Sequence, residues 1–566
     1  MAGSLTSIMK MTVLIWADLL SFYAMWLMMA YLTDVWKISF THAAAIVNVF
    51  WGLVHIIPLI LKFIVDTFMG SFWMVLISSF AYCAGLGFIT MSTPPVLADA
   101  TGTCSAYKPE CIGEAQKVLF YTALALIVMG MAGHSTSLNS LMIEHATIKR
   151  QTQEEEEEVQ ASQIWSFCFG MFGMVIVYIA IILAITFIKP WSLRFGIPAI
   201  CTVIATTIFL TSSCSYKYAK PQGSPLTTVF RVFIAFASKL FHKLPTDTNQ
   251  LYEKHQIELP SHPHTPRLRC LDKAAIIVQS ESLEQQEKNK WRLCRVSEVE
   301  ETKSMICMIP ICLSFLVLGL VSSLGNTYFI EQANHMNQKV GKLTVPIPIF
   351  LWFYDQSKSY YASSYSQFAR SLSRISKLNR GFVAPIGIAV SMIFAILCSI
   401  TAAKVEEQRL GVVVSHGLVD KPEETVPMTM FWLLPQYLLL GGLDGILENN
   451  ITRMLANQLP QTMAPYVTIF ASGISGVGIL ASVLSVYVVG KASSKGIKPS
   501  WFQYTLNKSR LDKYYWLLAI LCVVNLVFFI LMAIWYAHRD SKSEDREAPE
   551  VNVEITNEPF EDDAQS

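Results

Sequence analysis

Charge is scarce in this chain. Acidic and basic residues make up 15% of 566 residues against 53% apolar ones, and 43 lysines and arginines balance 42 aspartates and glutamates to a net charge of +1. A charge set this small and dispersed offers no nucleic-acid-binding face. So much apolar surface also excludes a water-soluble multidomain protein, and the chain is read as one solvated by lipid. A Walker-type phosphate loop is absent, which excludes an ATP-driven pump on this chain alone. No catalytic or metal constellation is found, so neither an enzyme nor a cofactor is expected; His262 and His264 have no third or fourth ligand nearby. The first apolar run is too long for a signal-peptide core and lacks a small-residue cleavage site, so it reads as a transmembrane helix. Most of the 12 cysteines lie in apolar segments as small hydrophobes. Cys104 and Cys111 share one polar loop, and a local disulfide is expected if that loop faces an oxidising compartment.

What the chain does have is a series of apolar runs long enough to cross about 30 Å of hydrocarbon. They fall near residues 12–32, 43–68, 73–93, 118–143, 163–188, 192–213, 305–330, 345–369, 382–403, 427–448, 464–489 and 513–536. Six spans, a polar stretch and six more predict an all-α integral membrane protein with the two six-helix bundles of a major facilitator transporter, packed around a midplane site. The expected organisation is a first bundle over 1–215, a linker over 216–304, a second bundle over 305–539 and a disordered acidic tail over 540–566. Within the linker, 229–240 and 274–278 read as amphipathic helical runs. The acidic run 154–158 reads as a solvated helix start. Twelve spans put both termini on one side. The linker and the cluster Arg370, Arg374, Lys377 and Arg380 favour the cytosol, but the basic loop from Lys491 to Lys513 opposes them, so the positive-inside rule alone leaves orientation open.

Several strings carry a resemblance. CLDKAAII at 270–277, WRLCRVSEVEETKSMICMIP at 291–310, FGIPAI at 195–200, YAKPQGSPLT at 218–227, FWLLPQYLLLGGLD at 431–444 and LNKSRLDKYYWLLA at 506–519 resemble the plant nitrate and peptide transporter family, a branch of the proton-coupled oligopeptide transporters. The resemblance implies twelve helices, cytosolic termini and linker, and movement of a small, often anionic, solute. Asp66-Thr-Phe-Met-Gly70 resembles the superfamily's D-x-x-x-G turn, in which Gly permits a tight turn and Asp caps or pairs. The threonine that some nitrate transporters phosphorylate falls on Met74, so no such switch is expected there.

The departures bear on energy coupling. Proton-driven relatives carry Glu-x-x-Glu-Arg in the first span and a lysine in the fourth. Here the first span offers Asp18 beside Trp16, Leu19 and Leu20, and the fourth reads AGHST, with Ser135 at the lysine position. Both sides of the charge system are gone together, as expected if losing one alone would strand a buried charge at a cost of about 3–5 kcal/mol. His134 then stands either as a substitute proton carrier or as a packing histidine, and Asp18 either as a coupling group or as a cap near the surface. The tenth span keeps a carboxylate, Asp444, at the family's gating position, with Glu448 one turn on. The histidine that some nitrate transporters use to hold nitrate falls on Ser322. Asn326, Thr327, Glu331 and Gln332 resemble a polar turn expected to line the outer cavity. In the eighth span Asp355 and Lys358 stand three residues apart, within reach of each other, and the serines around them suggest a cavity-lining face. Asn507-Lys-Ser509 is a glycosylation sequon in an outward loop; Asn450-Ile-Thr452 sits at a helix end where glycan transfer is not expected.

The expected function is alternating-access movement of nitrate or another small organic anion with weakened or non-standard proton coupling. The alternatives are a proton-coupled importer of short peptides or hormone-like acids, and a non-transporting receptor that keeps the fold. The partners implied are the solute, the bilayer and protons, at the plasma or the vacuolar membrane.

Overall fold

The structure, a computed structural model, describes residues 2–150, scattered positions between 173 and 184, 188–211, 213, 216, 221, 223–244, 251–252, 265, 268–278, 283–375, 382–494 and 499–547. The expected fifth span, 163–188, lies largely outside these residues, as do 154–158, His262, His264, Lys377 and Arg380. The other expected spans fall on helices. In the first half they are Ala2–Trp26 with Met28–Asp34, Phe40–Ile64, Gly70–Met91, Glu114–Arg150 and Trp191–Leu210. In the second half they are Val296–Ser322 with Tyr328–His335, Ile349–Ile375, Val383–Ser415, Leu434–Gln458, Val467–Ser493 and Leu511–Glu547. Nine stretches among the described residues are both long and apolar enough to cross a bilayer. Helices suit this environment because each satisfies its backbone polar groups internally, where lipid offers no partner. The eighth span is not among the nine, because it carries the polar set Asp355, Ser357, Lys358 and Ser359.

Each half has its own helix pairings, first with sixth and third with fourth, then eighth with tenth and ninth with twelfth. The halves meet where the second span packs on the eleventh. Two joints fix the elements that matter for the site. Between the second and third spans the chain turns through Val65–Met69 into Gly70, whose φ of 74° suits a residue without a Cβ. Between the eighth and tenth, a Cβ on Gly441 would meet Ser357 Oγ and one on Gly445 the Lys358 carbonyl, so these glycines let the two helices touch.

The linker builds a small core of its own from Val232, Ala235, Leu271, Ala274, Cys294 and Val299. Residues 274–278 are not the expected helix: a 3₁₀ turn, Arg269–Ala275, ends there and Ile276 bridges to Leu251. The seventh helix begins at Val296, ahead of the expected span, and its first turns carry Glu300 and Lys303 into that core. Lys303 Nζ lies 2.6 Å from Asp272 and 2.7 Å from Glu300, all three buried. These residues belong to the strings 270–277 and 291–310, so one buried ion cluster accounts for both. The last helix continues to Glu547, through the first residues of the tail expected to be disordered.

Candidate functional site

A cavity of about 370 Å³ lies between the halves. Trp26, Val54, His55, Pro58 and Ser135 line it from the first half, and Ser322, Asn326, Tyr354, Lys358, Asp444 and Glu448 from the second. Asp444 accepts hydrogen bonds from Ser322 Oγ and from Tyr354 Oη, the latter at 2.8 Å. Its two oxygens are thus held by the seventh and eighth spans. Lys358 Nζ reaches Glu448 at 2.8 Å, one helical turn beyond Asp444. Across the cavity, His55 Nδ1 contacts Ser472 Oγ at 2.9 Å, joining the second span to the eleventh.

The expected Asp355–Lys358 pair does not form. With Gly441 and Gly445 bringing the tenth span against the eighth, the nearest carboxylate to the lysine is Glu448. Asp355 instead accepts from Tyr23 Oη of the first span at 3.3 Å. Of the expected polar turn, only Asn326 lines the cavity, held by Trp26 Nε1 at 2.8 Å. Gln332 is wholly buried and donates to Glu406 at 2.6 Å, so it completes an ion pair and does not face solute. Asn507 is not presented for glycosylation either: its Oδ1 accepts from Arg409 at 2.9 Å and its Nδ2 donates to the Leu418 carbonyl. Arg409 and Glu406, with no side-chain exposure, pair at 2.7 Å. Sequence reading missed this pair, although the i, i+3 spacing of opposite charges was visible.

Asp18 and His134, read separately from the sequence, are brought together. His134 Nδ1 lies 2.9 Å from Asp18, and its Nε2 lies 2.8 Å from Ser79 Oγ. Neither residue lines the cavity, but Ser135, next to His134, does. Cys104 and Cys111 form a disulfide in the loop between the third and fourth spans.

Contacts between the halves lie on both sides of the cavity. Toward the loops that carry the disulfide, Thr33 donates to Glu331 at 2.9 Å, Asn334 to Asp34 at 2.8 Å, and Lys37 pairs with Glu423. Toward the linker, Asp66 pairs with Lys62 at 2.8 Å and accepts from Tyr466 Oη of the eleventh span at 2.7 Å. Ser224 of the linker lies 2.6 Å from the same hydroxyl, and Gly223 N donates to the Asp66 carbonyl. Asp66 therefore pairs across the seam as well as within its own turn.

Two helical bundles with a charged cavity at their interface define a membrane solute transporter of the major facilitator type. The POT family model matches residues 72–501, and the chain belongs to that family. The Arabidopsis thaliana protein NRT1/PTR FAMILY 5.5 is 41% identical over 530 residues, covering 93% of this chain and 96% of the relative. An auto-inhibited POT family peptide transporter shares the fold with a TM-score of 0.63 at 16% identity, over 93% of this chain and 96% of that one. A POT family transporter solved in complex with 5-aminolevulinic acid gives 0.56 at 11% identity, over 93% and 95%.

Proposed function

We propose that the chain moves a small solute carrying both an amino and an acidic group, binding it between Asp444 and the Lys358–Glu448 pair and exchanging access between the two sides of the membrane. The observation that carries this reading is the charge set of the cavity: two carboxylates and one lysine, the lysine already held by a carboxylate. Two unit charges about 4 Å apart interact by about 4 kcal/mol at an effective dielectric of about 20. A zwitterion gains at both ends, with its ammonium on Asp444 and its acid group on Lys358. Nitrate, the cargo expected from the sequence, would meet the same Lys358–Glu448 pair with no ammonium to answer Asp444. A volume of about 370 Å³ suits a molecule of amino-acid or short-peptide size. That a transporter of the same fold was solved with 5-aminolevulinic acid supports the reading.

The energy source follows from what is missing. Without the first-span acids and the fourth-span lysine, transport depends weakly on an imposed pH gradient, and the dependence that exists runs through Asp444, with His134 as the second group. The linker and both termini lie in the cytosol, at the plasma or the vacuolar membrane. Flux into proteoliposomes over a panel of amino acids, dipeptides, hormone-like acids and nitrate, with and without a pH gradient, tests this. Zwitterions should outpace nitrate; flux of nitrate alone would overturn the cargo assignment, and binding without flux of any solute would favour a receptor.

A further inference from the structure

The linker helix Pro225–Ser238 is apolar on two faces. One face, Val232 and Ala235, is fully buried in the linker core. The other carries Phe230, Phe233 and Ile234, spaced to share one side of a helix, and all three are exposed. Leu240 and Phe241 follow in the next turn, Phe241 with 96% of its surface open. Burying such surface is worth about 25 cal/mol per Å², and contiguous apolar patches on soluble faces are rare.

Three observations say what covers this stripe. Phe230 packs edge-on against Phe63 of the second span, with ring centroids 6.2 Å apart, and Phe63 packs against Phe68. Ile60 on that span and Phe68 in the turn after it are exposed, so the stripe prolongs an exposed apolar surface of a helix long and apolar enough to cross a bilayer. The stripe also points away from the linker core, which buries Val232 and Ala235 on the helix's other face. Finally, no acidic residue occurs between Pro225 and Leu244, while His242 and Lys243, directly after Phe241, are exposed, which suits the end of an interfacial helix on an anionic surface.

We infer that Pro225–Ser238 and the turn to Phe241 lie in the headgroup boundary of the leaflet on the linker's side, with phospholipid chains covering Phe230, Phe233, Ile234 and Phe241. The helix then holds the linker to the membrane on one face and to the seventh span on the other. Its cap, Ser224, accepts from Leu226 N and touches Tyr466, so the anchored helix also fixes one side of the Asp66–Tyr466 seam.

The full chain in nanodiscs of phosphatidylcholine and phosphatidylserine tests this, in a background where Cys270, the exposed free cysteine among the described residues, Cys168 and Cys214 are all replaced by serine. Nitroxide labels on Phe233→Cys and Phe241→Cys should collide more with oxygen than with a nickel chelate, and a label on Glu284→Cys should do the reverse. Higher chelate accessibility at both phenylalanine positions would overturn the inference, as would low accessibility to both reagents with a chain-to-chain crosslink, which would assign the stripe to a second copy. A photoactivatable phospholipid added to the unsubstituted protein gives an independent readout. Its crosslinks should concentrate on 225–243 over Leu283–Lys288, and an even spread would count against the assignment.

Discussion

His134 Nδ1 lies 2.9 Å from one carboxylate oxygen of Asp18 and 3.0 Å from the other, joining the fourth span to the first. Nitrogen and carboxylate at that distance need one proton between them, whichever of the two carries it. The first and fourth spans thus keep a proton-holding contact, although they lack the acids and lysine of proton-driven relatives. His134 is 3% exposed and Asp18 is more open, with 26% of its side chain accessible.

Removing either member strands the other. Asp18→Asn and His134→Gln should each lower stability by about 1–3 kcal/mol, the cost of leaving a buried polar partner unmet. The double variant should lose less than the sum, because the two share one contact. Thermal unfolding in detergent measures all three, and strict additivity would show that the pair contributes nothing as a pair.

Asp444 is held at both oxygens, by Ser322 and Tyr354. Asp444→Asn keeps the shape but offers one acceptor in place of two, so the protein should fold and lose whatever pH response its transport has. His134→Gln should reduce that response less. An unchanged, steep proton dependence in Asp444→Asn would move coupling to Asp18 or Asp355. Flux at several external pH values decides between them.

The Lys358–Glu448 pair gives a charge-reversal test. Lys358→Glu alone places a third carboxylate beside Asp444 and should cut flux about tenfold or more, equivalent to at least about 1.4 kcal/mol. Adding Glu448→Lys restores one cation and should recover part of it. Initial uptake rates in proteoliposomes, corrected for protein incorporated, read the effect. Failure of the second substitution to recover any flux would remove the pair from solute binding.

Outside the fifth span, which lies largely beyond the described residues, the span layout and the Asp66 to Gly70 turn were legible because hydrophobic run length and a glycine-dependent turn are local signals. The site was legible only in part. Asp444 stood out as a carboxylate deep in an apolar run, but its partners Ser322 and Tyr354 come from other spans. Local spacing misled at Lys358: i, i+3 spacing brings Asp355 within reach, yet glycines on the tenth span bring Glu448 closer. Gln332 and Asn507 were misread for one reason. Each looks like a free polar residue near a helix end, and each serves the buried Arg409–Glu406 pair from a distant part of the chain.

That pair carries its own expectation. Arg409 and Glu406 have no side-chain exposure, and Gln332, Asn507 and the Leu506 carbonyl supply the remaining contacts. Breaking a buried ion pair from one side costs about 3–5 kcal/mol. Glu406→Gln should therefore lower the melting temperature more than any single change at the exposed Lys421–Glu424 pair. Asn507→Gln, which lengthens the side chain at a filled position, should also destabilise, whereas a glycan-acceptor role alone would leave the melting temperature unmoved. Thermal unfolding of the purified variants distinguishes the two.

The linker supplies a pH dependence outside the membrane. Lys239, at the end of Pro225–Ser238, is 4% exposed, and its ammonium donates to the carbonyls of Ala274 and Ile276. Burial pushes its pKa down from 10.5 to about 8. Between those two values the unfolded segment binds more protons than the folded one, so the stability of linker packing rises as pH increases from about 8 toward 10.5 and is lowest below 8. Hydrogen exchange over residues 225–240, corrected for the intrinsic dependence of exchange on pH, should show protection growing across that window. Lys239→Met buries no charge, so its corrected protection should stay flat. Parallel profiles for the two proteins would mean that the lysine stays charged in the folded linker throughout, and that its two carbonyl partners suffice to hold it so.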